Sequence, residues 1–267
     1  MTSYISLGYM DVALAGSLLC INAALSFALN LGLSKRMFIA GTRMVVQLLL
    51  VGLVLKALFV SVSPWMTALA AVVMIGFAGY EARARQEKRF IGFWSWGLGA
   101  GSMAFAALVV TIFALSTAIR PEPWYHPQYA IPLLGMILGN AMTGVALGLE
   151  RFLSVTDRER RAIEARLLCG ATIQTALQGP VREAVRAGMI PIINAMASAG
   201  LVSLPGMMTG QILAGVEPFE AVKYQLLIMF LIGGGTTLGL VVAVLGASRL
   251  LTDDRHRLRL DRVYTQK

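Results

Sequence analysis

Charge is what this 267-residue sequence has least of. Only 14% of its residues are Asp, Glu, Lys or Arg and 57% are hydrophobic, where a soluble domain carries about 25% charged residues. That deficit excludes a globular cytosolic enzyme and predicts a polytopic membrane protein. Cysteine is scarce as well. Cys20 lies in an apolar run and Cys169 in a polar segment, so no disulfide is expected and both read as structural. The two histidines, His126 and His256, are far apart and have no Cys or His companions, so no metal site is expected on them. Basic residues exceed acidic ones for a net charge of +9. They sit in the gaps between apolar runs and form no stripe, which argues against a nucleic-acid partner.

The chemical motifs are missing too. No G-x-x-x-x-G-K-[ST] occurs, so the chain has no P-loop. Zincin, nucleophile-elbow and paired-cysteine zinc patterns are likewise absent. "GLGAG" at Gly97 to Gly101 lies inside an apolar run with no strand before it, so it is no nucleotide loop. We therefore expect no catalytic residue, no metal ligand and no cofactor bound by this chain. No acid falls at mid-span, which disfavours a proton- or sodium-coupled carrier. Arg43, Lys56 and Glu150 lie near span ends, where they can snorkel. Only Asp11 is charged around the first apolar run, so that run reads as a true span and not as a cleaved leader.

What is there is a series of apolar runs. Seven spans are expected, at 9–31, 38–60, 64–80, 91–118, 131–150, 187–204 and 225–248. Alternate gaps carry the positive charge. Lys35, Arg36 and Arg43 flank the first gap, and Arg83, Arg85, Lys88 and Arg89 fill the third. Arg151, Arg158, Arg160, Arg161, Arg166, Arg182 and Arg186 fill the fifth, and Arg249, Arg255, Arg257, Arg259, Arg262 and Lys267 form the tail. Of the 23 basic residues only Lys56, Arg120 and Lys223 fall elsewhere. The positive-inside rule then puts the N-terminus outside and the C-terminus in the cytoplasm. The whole of 1–267 reads as one transmembrane domain. Glycines four apart, at 135/139, 144/148, 206/210 and 235/239, predict close helix approach, within the chain or across a homodimer seam.

Residues 151–186 are the one large polar segment. "TDRE" at Thr156 to Glu159 predicts a capping box at a helix start. Ile163, Leu167 and Leu168 fall on one face. Gly170 suits that helix's C-terminus, and Thr172 caps a short helix to Gln178. Gly179-Pro180 is expected to break that helix, and Pro180 to open another. Two readings remain, a basic element lying on anionic lipid and a dock for a soluble partner. The Gly turn and the capped helix favour the dock.

Polar residues in the spans are candidates for a path: Asn140 and Thr143 in the fifth, Asn194 and Ser198 on one face of the sixth. Interhelical hydrogen bonds are the competing role. "SLPGMMTG" at Ser203 to Gly210 breaks the helix at Pro205-Gly206 and suggests a re-entrant or gating segment. Met207 and Met208 suit Cu(I) better than iron, and also suit gap filling.

"EARLLCGAT" at Glu164 to Thr172 resembles the EAA loop of ABC-transporter permeases, with its Glu-Ala pair and a Gly six residues after the Glu. It departs in that Pro180 comes early and Pro191 late for the loop's usual Leu-Pro. "IPLLGMILGNAM" at 131–142, "GLVSLPGMMTGQILAG" at 200–215 and "AVKYQ" at 221–225 resemble the FetB/YbbM-type permease family, whose plant relatives are aluminium-tolerance proteins. The resemblance implies a multi-pass subunit of the cell inner membrane, paired as a permease homodimer. A separate ATP-binding ABC subunit, holding ATP and Mg, would dock on residues 164–178 through Glu164, Ala165, Gly170, Ala171, Thr172 and Gln174. It also implies a role in iron export. The alternatives are an ATP-independent channel or secondary carrier, and a membrane enzyme or sensor, which the missing catalytic constellation disfavours.

Overall fold

A computed structural model describes residues 8–253 and 257–265. Arg255, His256 and Lys267 lie outside the described residues. Nine α-helices among the described residues account for nearly all the structure, as expected of an all-α polytopic membrane protein.

The chain divides into two compact units, residues up to Ser63 with 213–215, and the remainder. In the first unit α1 (Tyr9–Ala28) and α2 (Ser34–Ser61) form a hairpin. Asn30 and Gly32 turn the chain with positive φ. The Ser34 hydroxyl donates to the Ala23 carbonyl at 2.8 Å and Leu33 N–H to Ser26 Oγ at 3.3 Å, so the turn's polar groups are satisfied across the hairpin.

The second unit is built around α5 (Pro127–Arg158), with α3 (Pro64–Ala84), α4 (Phe93–Ala114), α7 (Ile173–Ser198) and α9 (Pro218–Leu250). Pro127 and Pro218 open α5 and α9 at their first positions, where a missing N–H costs nothing. His126 Nδ1 accepts from Gln128 N–H and the Glu217 carboxylate from Glu220 N–H, capping those ends. Small residues set the closest crossings. A Cβ placed on Gly188 would lie 2.5 Å from the Gly144 carbonyl oxygen, one on Gly235 2.6 Å from Ile137, and one on Gly148 within Leu240. Glycine at 144, 148, 235 and 239 thus serves packing within one chain. A Cβ at Gly139, Gly206 or Gly210 would meet nothing within 4 Å, so those glycines have no such role.

Six helices are long and apolar enough to cross a membrane: α1, α2, α3, α5, α9 and α4 with its π-helical extension Leu115–Ile119. The expected count of seven is not met by that measure. The sixth run, 187–204, is no separate helix. It is the apolar half of α7, whose other half carries Arg182, Glu183 and Arg186, and the helix stops at Ser198. The chain leaves α7 at Ser198 and re-enters helix at Pro205-Gly206, where the eight-residue α8 (Gly206–Leu213) begins, so the break falls just before the pair the sequence marks.

One element had no sequence signal. β1 (Lys88–Phe90) pairs antiparallel with β2 (Val263–Thr265), and Ile91 N–H extends the ladder to the Arg262 carbonyl. Lys88 also pairs with Asp157 of α5 at 2.5 Å. The third gap, the fifth gap and the tail therefore meet at one end of this unit, which gathers their basic residues.

Candidate coupling elbow and membrane path

The polar segment folds differently from its expected start. α5 continues to Arg158, and Thr156 is buried within it with its hydroxyl on the Phe152 carbonyl at 2.7 Å. The capping box therefore does not form. A threonine hydroxyl inside a helix finds the carbonyl one turn back before it finds a cap. The next helix, α6 (Arg160–Leu168), follows without a side-chain cap.

The turn after α6 forms as the residues predict. Gly170 has φ +86°, Gly170 N–H donates to the Leu167 carbonyl and Ala171 N–H to the Arg166 carbonyl, both at 3.0 Å. This is a complete Schellman turn, which satisfies the last carbonyls of α6. Thr172 then caps α7, its hydroxyl accepting from Thr175 N–H at 3.3 Å. The result is a rigid elbow joining two helices. Ile163 is fully buried beneath it, as are Ala176 and Leu177.

α7 does not break at Pro180. It runs from Ile173 to Ser198 through both Pro180 and Pro191. Proline lacks the N–H that would bond the carbonyl four residues back, here that of Ala176. Arg166 Nη1 donates to that carbonyl at 3.3 Å and replaces the lost bond. Short helix and following helix are thus one.

Of the expected coupling residues, Ala165, Gly170, Thr172 and Gln174 are exposed, and Glu164 and Ala171 half-buried. Glu164 pairs with Arg160 at 2.8 Å, and this hydrogen bond raises the arginine above its ordinary pKa. The structure gathers all six around the elbow. It also exposes Leu168, by 89%, at the tip. Leu168 does not share the buried face of Ile163, on which the helical period places it.

The path candidates are less closely grouped. α5 and α7 run antiparallel, from the Arg151–Glu183 ion pair through the Gly144–Gly188 crossing. That register puts Asn194 and Asn140 about 3 Å apart along the helix axes. Both are exposed. The Asn140 amide donates to the Met136 carbonyl at 2.8 Å, the Thr143 hydroxyl to Gly139 and the Ser198 hydroxyl to Ala195, each at 3.4 Å. Each of these three bonds stays within its own helix. Met207 packs on the apolar core, as a gap filler does; Met208 is half-buried. Several buried polar groups went unforeseen, two of them on one helix. The Gln225 carbonyl oxygen and the Thr236 hydroxyl, in α9, have no hydrogen-bond partner among the described residues.

A family model described as "Uncharacterised protein family (UPF0014)" matches residues 9–251. A UPF0014 membrane protein of Synechocystis is 41% identical over 231 residues, 85% of this chain and 87% of that one. The Escherichia coli protein named "Probable iron export permease protein FetB" is 34% identical over 253 residues, 93% of each chain. Protein ALUMINUM SENSITIVE 3 of Arabidopsis thaliana is 30% identical over 240 residues, 88% of this chain and 84% of that one. No solved structure matches.

Proposed function

Because this chain belongs to the UPF0014 family, a family of membrane proteins, we propose that it is the permease subunit of an ATP-driven exporter of metal. The observation that carries the reading is the elbow. A Schellman turn, a threonine cap and an arginine-rescued proline make residues 164–178 a stiff projection with an exposed leucine at its tip. A loop that only held topology would need none of these. The chain has no P-loop, so ATP and Mg belong to a separate subunit, and this chain is not itself the enzyme. The basic end of the five-helix unit faces the cytoplasm of the inner membrane, as its arginines favour. Metal as cargo follows the name of the Escherichia coli relative. Two copies pair to enclose the path, with Asn140, Thr143, Asn194 and Ser198 facing it.

The test is co-purification of an ATP-binding subunit from native membranes, followed by coupled ATP hydrolysis in vesicles. Gly170→Arg should abolish coupled hydrolysis while the protein still inserts. Full coupled activity in that variant, or absence of any co-purifying ATPase, favours the ATP-independent channel or carrier.

A further inference from the structure

Two clefts lie side by side at the basic end of the five-helix unit. One, of about 460 Å³, is bounded by Phe90, Ile91, Trp94, Leu250, Asp261 and Arg262. The other, of about 520 Å³, follows the seam of α4 and α9 from Trp94 and Arg249 to Ser102 and Val242. Trp94 and Leu250 border both, so the two form one groove. Its long arm spans nine residues of α4, roughly 13 Å. Glycine makes the room there. Gly97 and Gly101 stand one turn apart on its wall, and a Cβ on Gly101 would meet nothing within 4 Å.

The mouth is cationic. Arg249 is exposed and makes no side-chain hydrogen bond or ion pair among the described residues. Arg262 spends one N–H on the Leu250 carbonyl, at 2.8 Å, and keeps its others. The one acid in the lining, Asp261, is already held by Arg259 through two hydrogen bonds at 2.8 and 2.9 Å. The amino end of α4 opens at the same place, with no side-chain cap at Gly92, and a helix amino end favours an anion. Trp94, 65% exposed, stands between mouth and groove, where an indole sits at a membrane–water boundary.

We propose that this groove binds an anionic phospholipid. Its phosphodiester lies on Arg249, Arg262 and the amino end of α4, and one acyl chain lies along the Gly97–Gly101 wall. The alternation of apolar trough and cationic rim matches an amphiphile with a negative head, and a membrane supplies one. A zwitterionic lipid brings a compensating cation and gains less from the mouth.

The full chain in mild detergent, titrated with phosphatidylglycerol and with phosphatidylcholine of the same acyl chains, tests this by native mass spectrometry. Phosphatidylglycerol should bind at least about tenfold more tightly, and Arg249→Gln should weaken it by about fivefold, at the usual value of one arginine near a charged surface. Arg249→Gln with Arg262→Gln should remove the preference. Gly101→Phe, which fills open space, should weaken both lipids. Equal binding of the two lipids by the wild type overturns the proposal, as does phosphatidylglycerol binding that neither Arg249→Gln nor Gly101→Phe alters. If Gly101→Phe instead splits a dimer and leaves lipid binding unchanged, the groove is covered by a second copy and the lipid site is wrong.

Discussion

Arg166 donates a hydrogen bond to the carbonyl of Ala176, the acceptor that Pro180 leaves without its helical partner. The two residues lie on opposite arms of the elbow, so one bond both mends α7 and fixes the angle to α6. Ala176 is fully buried, and an orphaned buried carbonyl costs about 1–3 kcal/mol. Arg166→Ala should therefore lower unfolding stability by about that amount. Pro180→Ala restores the missing N–H, and in that background Arg166→Ala should cost under about 0.5 kcal/mol, the level of an ordinary surface change. Thermal unfolding of the four proteins in one detergent measures the coupling. Equal losses in both backgrounds would refute the rescue.

The Gly144–Gly188 crossing makes a second prediction. Gly188→Ala sets its methyl 2.5 Å from the Gly144 carbonyl and 2.7 Å from Leu240, closer than side-chain contacts allow. Overpacking of this kind costs about 1–3 kcal/mol. The matched control is Gly139→Ala, on the same bundle with open space around it. It should be neutral or slightly stabilising, because alanine is the better helix former.

Leu168 and Gly170 separate fold from docking at the elbow. Leu168→Asp changes an exposed side chain and should move stability by no more than about 0.5 kcal/mol, yet it should reduce recovery of an ATP-binding subunit in a pull-down. Gly170→Ala forces an L residue into the left-handed region at a cost of about 1–2 kcal/mol. It should loosen the elbow, read as faster amide exchange at Ala171 and Thr172.

The pH response of the tail follows from Asp261. Its hydrogen bonds to Arg259 hold the carboxyl down to about 2, below its ordinary 3.8. A depressed carboxylate contributes fully above its unfolded pKa and is lost as pH falls through the folded one. Proteolytic protection of residues 257–265 should therefore be unchanged between pH 8 and pH 5. Asp261→Asn at pH 7 should weaken it, and the effect should shrink in high salt because the pair is exposed.

What could be read from the sequence was local. Apolar runs marked the spans, and Gly170 and Thr172 marked a turn and a cap, because each signal depends on neighbours within one helical turn. The failures share the opposite property. Pro180 reads as a break until Arg166, fourteen residues earlier, is seen to replace its bond. Thr156 reads as a cap because Glu159 follows at the right spacing, but the Phe152 carbonyl competes for the same hydroxyl. Leu168 looks like core by periodicity, and its exposure shows only once α6 lies on α7. The path candidates stayed half-legible. Sequence located Asn140 and Asn194 in apolar runs, and the helix register alone brings them level.

The pairing of β1 with β2 also has a meaning in time. Its two strands are separated by most of the chain, so the third gap has no ladder partner until residue 265 has been made. At about 5–20 residues per second, that is roughly 10–35 seconds after β1 leaves the ribosome. Of that unit's five long helices, α4, α5, α7 and α9 are all synthesised in that interval, and α3 before it. The small sheet is therefore a late clasp, closed across the basic end only after the helices between its two strands have been made.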